Sequence, residues 1–324
     1  MTRIRHGGGG VHLWLWFAPL VLLTVSAGTL ALSNRTPARL ELPRTFAGPM
    51  PSHPLGFGEG GLDLGAFAGH ACLRVLVLAL TVAGVSCAIG SFIGVIAAQR
   101  RNIVEHVIVR ACDLVQAFPS FLLALAVLSA VAVPERWHLA IVFSLLGWAP
   151  FARLTHALAR GLFRSEFVLA ARAFGASRLH VGWFHVVPHL VGPLAVQMGA
   201  SAAGVVLGEA SLGFIGLGPS DGISLGALLE QGTAAMFREP RVLLVASSTI
   251  ALTSGALQLA SEGLRAILIL ELSSVKATML FAWVASGGGS RESSSRKQAN
   301  GHCAKYRSGG LASIGHPDHA WSTT

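Results

Sequence analysis

Asp113 and Glu209 are acidic residues set inside long apolar runs of this chain. A carboxylate in hydrocarbon is costly, so each must face neighbouring helices or a watery path. Two kinds of chemistry fit such residues. They can line the route of a polar solute or hold a gate, or they can brace one helix against another. Bracing is the plainer reading, with Asp113 paired to Arg110 and Glu209 supporting its neighbours near the opposite side of the membrane. Bond-making chemistry has little to work with, and no catalytic residue is expected. No Gly-x-x-x-x-Gly-Lys-Ser/Thr loop occurs, so the chain cannot hold ATP in the usual P-loop manner. Cys72, Cys87, Cys112 and Cys303 show no CxxC spacing, and the first three read as small core residues. His302, Cys303, His316 and His319 fit no metal-site spacing, so no metal is expected.

A third candidate is a whole segment, Glu166 to Pro188, with the sequence EFVLAARAFGASRLHVGWFHVVP. Glu166 to Phe174 is rich in helix formers, and Gly175 most easily takes the left-handed conformation that ends a helix. Ser177 then suits the N-cap of a second short helix from Arg178 to about Val187, with Pro188 marking entry to the next run. Ala170, Ala171 and Ala173 permit close approach to another backbone. Phe174, Leu179 and Trp183 are expected as buried contacts. Such a helix-hinge-helix segment suits docking on another protein. The alternative is an amphipathic helix lying on anionic lipid through its arginines.

The elements that must position these residues follow from composition. Over 324 residues the chain is 52% hydrophobic and only 12% charged, with a mean hydropathy of +0.62. Soluble domains average about 25% charged residues, so this is an integral membrane protein of the all-α class. Apolar runs predict six transmembrane helices at about 11–32, 75–98, 106–133, 137–158, 189–217 and 242–261. Residues 1–10 form a short basic N-terminus, and a cleaved signal peptide is disfavoured because the first apolar run exceeds an h-region of about 7 to 15 residues. The Pro- and Gly-rich stretch 33–70 reads as an irregular loop outside the membrane, and 218–241 as a compact loop. Gly84, Gly90 and Gly94 offer small surfaces for close helix contact.

The net charge of +9 does not point to nucleic acid, because the basic residues cluster between apolar runs. With both termini in the cytoplasm, 17 of the 24 Lys and Arg fall inside. The imbalance keeps its sign without the C-terminal tail, so the positive-inside rule puts both ends, and the Glu166 to Pro188 segment, in the cytoplasm. Residues 267–324 form an atypical tail. Its part from 286 onward is rich in Gly, Ser, Arg and Lys and reads as disordered.

The Glu166 to Pro188 segment resembles the cytoplasmic loop of ABC importer permeases. That pattern runs Glu-Ala-Ala, three residues, Gly, nine residues, Ile, any residue, Leu-Pro. Here it reads Leu169-Ala170-Ala171, Gly175, then His185-Val186-Val187-Pro188, with Leu169 in place of Glu. Four further stretches resemble the dipeptide, oligopeptide and nickel branch, particularly its second permease subunit. They are His53-Pro54-Leu55-Gly56 with Gly61-Leu62-Asp63, then Asp113 with Ala117-Phe118-Pro119-Ser120, then Gly208 to Gly218, and lastly Glu262-Gly263-Leu264-Arg265. The resemblance covers 11 to about 266. It departs where the loop after Gly218 lacks Pro-Ser-Trp and where the tail replaces a short Asp-Pro-Arg end, as a shifted reading frame or a fusion would leave it.

The resemblance implies the type I ABC importer permease fold in a bacterial plasma membrane. It also implies an assembly with a homologous second permease, two ABC ATPase subunits and an extracytoplasmic substrate-binding protein. ATP and Mg would be bound by the ATPases, and this chain would carry no cofactor. Glu166, Ala170, Ala171, Phe174, Gly175, Ser177, Leu179, Trp183 and Pro188 would then form the ATPase-coupling element within a cytoplasmic loop at about 159–188. The solute would be a dipeptide or oligopeptide, nickel, or a related small molecule. Two other functions are separable from this one. A secondary transporter requires inverted repeats, and no convincing repeat is visible. A degenerate, non-transporting membrane subunit is suggested by Leu169 and the tail.

Overall fold

Long apolar helices with few internal charges leave the bilayer as their natural solvent, and the computed structural model is built of them. It describes residues 9–33, 40–100, 103–173, 175, 177 and 180–285. The helices are α1 (Gly9–Ser33), α2 (Leu64–Gln99), α3 (Ile103–Ala117), α4 (Ser120–Ser129), α5 (Arg136–Leu162), α6 (Glu166–Ala173), α7 (Val187–Phe214), α8 (Leu225–Ala234) and α9 (Pro240–Ala285). A π-helical turn, Val181–Val186, leads into α7. The protein is all-α, with no strand among the described residues.

Four helices are long and apolar enough to cross a membrane: α2, α5, α7 and the Pro240–Leu268 part of α9. The third expected span is not one rod. α3 and α4 meet at an angle of 75°. Pro119 has no N–H to continue the α3 ladder and takes an extended backbone (φ −58, ψ 117) as the residue before α4. α1 stands where the first span was expected, and its apolar stretch is Phe17–Thr29.

Two further boundaries differ from the sequence reading. α2 begins at Leu64, eleven residues before the expected Val75, because Arg74 is no stop: its guanidinium pairs with Asp221 at 2.5 Å. The region 218–241 is not merely loop. It contains α8, capped by the Ser224 hydroxyl accepting from Ala227 N–H at 3.0 Å, with Leu225 and Leu228 fully buried. The stretch 40–63 is irregular, as expected, apart from two 3-10 turns at Leu42–Arg44 and Glu59–Gly61.

Asp63 fixes the start of α2. One carboxylate oxygen accepts from Gly65 N–H at 2.9 Å and Ala66 N–H at 3.3 Å, and the other lies 2.7 Å from His53 Nδ1. Asp63→Ala should therefore cost about 1–2 kcal/mol of stability, and Asp63→Asn, which keeps the capping oxygen, distinctly less. Thermal melting of the purified chain measures both.

The main hydrophobic core joins α1, α2, α4, α5, α7, α8 and α9 around residues such as Leu64, Leu128, Leu139, Leu212 and Leu225. A second core, at the α6 end of the bundle, is described below. The chain divides into two compact units. The first runs to Ile269, and the second starts at Leu270, where helix is described as far as Ala285. The predicted disorder from 286 onward, and the His/Cys group of the tail, lie outside the described residues.

Candidate functional site

The Glu166 to Pro188 segment is tied to the spans by a small apolar core of its own. Val168 of α6 and Val181 and Val186 of the π-helical turn are buried among Val95 and Ala98 of α2, Phe151 and Ala159 of α5, and Leu190 and Leu194 of α7. Gly182, buried in the same seat, lies against the end of α2, where an added Cβ would meet the tip of the flexible Gln99 side chain and come within 3.2 Å of Val95 Cγ1. These four residues were not singled out from sequence. The available signal was their small, apolar type flanking the larger Trp183 and Phe184, which draw more attention.

The other side of the segment is open. Glu166, Leu169, Gly175, Ser177, His180, Trp183 and Phe184 are exposed. Gly175 adopts φ +89, and Ser177 Oγ accepts from His180 N–H at 3.2 Å, which is the geometry of a left-handed turn followed by an N-cap. Trp183 is 40% exposed and rests on Phe92 of α2 with ring centroids 5.9 Å apart. Leu169 is also exposed, one helical turn after Glu166. Ala170 and Ala171 lie on α6, whereas Phe174 and Leu179 fall outside the described residues. The second helix does not end at Pro188. The π-helical turn runs straight into α7, where Pro188 occupies the first turn and so costs no hydrogen bond.

Charged contacts tie α3 to α5 near this end. Glu105 Oε1 lies 3.0 Å from both His156 Nε2 and Arg160 Nη1. Asp113 Oδ1 lies 2.9 Å from Arg153 Nη2. Asp113 is thus paired across to α5, through Arg153, rather than with Arg110 on its own helix. Its exposure is intermediate. Glu105 was not singled out from sequence, since its role depends on partners some fifty residues away.

A groove of about 670 Å³ opens between the α3–α4 elbow, α5 and α7, lined by Gln116, Phe118, Phe121, Phe143, Ser201 and Gly208 among others. Among the described residues, no ionisable side chain lines it. Asp113 and Glu209 are not among its lining residues. Glu209 is fully buried in α7 at the opposite end of the bundle from α6.

Residues 90–268 match the family described as binding-protein-dependent transport system inner membrane component. A protein of Brucella suis biovar 1, named as a peptide transport system permease, is 31% identical over 252 residues, covering 77% of this chain and 84% of its own. The oligopeptide transport system permease protein OppC of Mycobacterium tuberculosis is 30% identical over 257 residues, covering 76% of this chain and 86% of its own. The family match includes the Glu166 to Pro188 segment and stops before Leu270.

Proposed function

This chain belongs to the binding-protein-dependent transport system inner membrane component family, and we propose that it forms half of the path by which an ATP-driven importer carries dipeptides or oligopeptides across a bacterial plasma membrane. The observation that carries this reading is the segment Glu166 to Pro188, seated on three spans by Val168, Val181 and Val186 while its turn at Gly175 and Ser177 stays exposed. An exposed turn that leads into an anchored π-helical turn, itself continuous with a span, suits a lever. In this reading an ATPase subunit holds the turn, and closure of two ATPases on ATP and Mg moves α6 and the π-helical turn. α7 follows, and the groove beside the α3–α4 elbow changes the side to which it opens.

The uncharged lining of that groove supports a peptide solute. Peptides differ in side-chain charge, and a path without fixed ions favours no particular one. Selection among them then falls to an extracytoplasmic binding protein, and a homologous permease supplies the other half of the path. The charge balance that places both termini in the cytoplasm puts the segment on the ATPase side. Isolation of the tagged chain from its native membrane tests the assembly. Two ATPases and a second permease are expected to accompany it, and ATP hydrolysis is expected to rise when peptide-loaded binding protein is added. A chain that comes down alone and leaves ATP hydrolysis unaltered would overturn the proposal.

A further inference from the structure

Asp221, on the connection between α7 and α8, gathers two arginines from two spans. Arg74 of α2 reaches it at 2.5 Å, and Arg136, the first residue of α5, lies 3.0 Å from Oδ1 through Nη2 and 3.3 Å from Oδ2 through Nε. Arg136 Nη2 also donates to the Ile223 carbonyl at 2.5 Å, and Ser220 N–H donates to the Pro134 carbonyl at 2.8 Å. The α7–α8 connection is thereby latched onto the starts of α5 and α2. It is bracketed by Gly216 (φ +82) and Gly222 (φ +68), two left-handed turns that no neighbouring side chain packs against.

Glu209 is 0% exposed, and neither of its carboxylate oxygens has a hydrogen-bond partner among the described residues. Arg136 Nη1 is likewise buried and without a partner, although every other contact of that guanidinium goes to the latch. Arg136 and Asp221 are the charges that act on Glu209. A buried acid and a buried donor, both unsatisfied, are costly in one arrangement and are explained if a second arrangement joins them.

We propose that Arg136 is a two-position switch: Asp221 holds it in the arrangement seen here, and when the α7–α8 connection lifts away the guanidinium passes to Glu209, which then holds the opened arrangement. The switch rests on the reading of the chain as a permease that alternates between two states. The unused Nη1 is the buried edge of a side chain whose other nitrogens are held at the part-exposed latch, so releasing the latch frees the guanidinium to turn inward.

The test uses the assembled transporter in nanodiscs, with the four native cysteines replaced and Ile223→Cys as reporter. Ile223 is buried under the latch, so its alkylation by a water-soluble maleimide reports lifting of the connection. Without nucleotide, Asp221→Asn is expected to raise the alkylation rate about five-fold or more. Adding Glu209→Gln should return it to within about two-fold of the parent, since nothing then holds Arg136 in the second position. Asp221→Glu should behave as the parent. If the rise in Asp221→Asn is the same with and without Glu209→Gln, Glu209 is a static buried group and the switch is wrong. Should Asp221→Asn not assemble, Arg74→Gln, which removes one tie to the same carboxylate, takes its place with the same expectation. Peptide-stimulated ATP hydrolysis by the parent reports on the transporter reading by itself. Its absence would defeat that reading, while the nucleotide-free comparison would still decide the switch.

Discussion

Gly175→Pro is expected to lower binding-protein-stimulated ATP hydrolysis by at least about ten-fold, equivalent to about 1.4 kcal/mol of lost coupling, while leaving the chain inserted and folded. Gly175 holds φ +89, and proline is fixed near −65°. The reversal between α6 and the π-helical turn then cannot form, so the exposed tip at Ser177 is displaced while the buried anchors Val168, Val181 and Val186 stay seated. Gly175→Ala is the control that separates backbone from bulk. An added Cβ meets nothing within 4 Å, so alanine carries only the left-handed penalty of about 1–2 kcal/mol, and most coupling should survive. The two variants are compared in the reconstituted assembly, with thermal melting of the isolated chain as the check on folding. Full stimulated hydrolysis in Gly175→Pro would remove the segment from its proposed role.

The helix-turn-helix plan of this segment was readable because its determinants are local. An alanine-rich run, a glycine and a serine act through their own backbone within a few residues. What holds the segment was not readable. Val168, Val181 and Val186 are buried only because α2, α5 and α7 converge there, and Trp183, the bulkier residue, turns outward onto Phe92. Asp113 likewise had a sequence-near candidate in Arg110, one turn away on the same helix, and is paired with the distant Arg153, whose approach depends on how α3 packs against α5.

The membrane-spanning, all-helical architecture follows from hydropathy, which acts on every residue of a run. Where its boundaries were misread, a single residue overrode the run. Pro119 turned one expected span into a 75° elbow, and Arg74, read as a boundary charge, became an interior residue of α2 once Asp221 neutralised it. α8 was hidden because its ten residues are too few to register as a span, yet Ser224 and the apolar Leu225 and Leu228 are its cap and its buried face.

The largest stability effect is expected at the α2–α5 seam. Gly90 and Gly94 lie one turn apart and face the backbone of α5 directly. A Cβ at Gly90 would meet the Trp148 carbonyl oxygen, with Phe151 Cβ at 2.6 Å, and one at Gly94 would lie 2.5 Å from the Ala152 carbonyl oxygen and 2.7 Å from Thr155 Cβ. Carbonyl oxygens on a continuous helix cannot rotate aside as a flexible side chain can, so the helices themselves must separate. Separation would strip contact from Ala152, from the buried Thr155 and from Phe151, which belongs to the core beneath the Glu166 to Pro188 segment. Overpacking of this kind costs about 1–3 kcal/mol per site, and adjacent sites on one seam are not independent. Gly90→Val with Gly94→Val should therefore abolish the monodisperse folded chain in detergent, and each alone should lower its melting temperature. Gly84 was grouped with them from sequence, but nothing lies within 4 Å of a Cβ there. Gly84→Ala should be neutral or stabilising, since it removes glycine's backbone freedom from a helix interior. Equal tolerance at all three positions would mean that α2 and α5 do not pack through this seam.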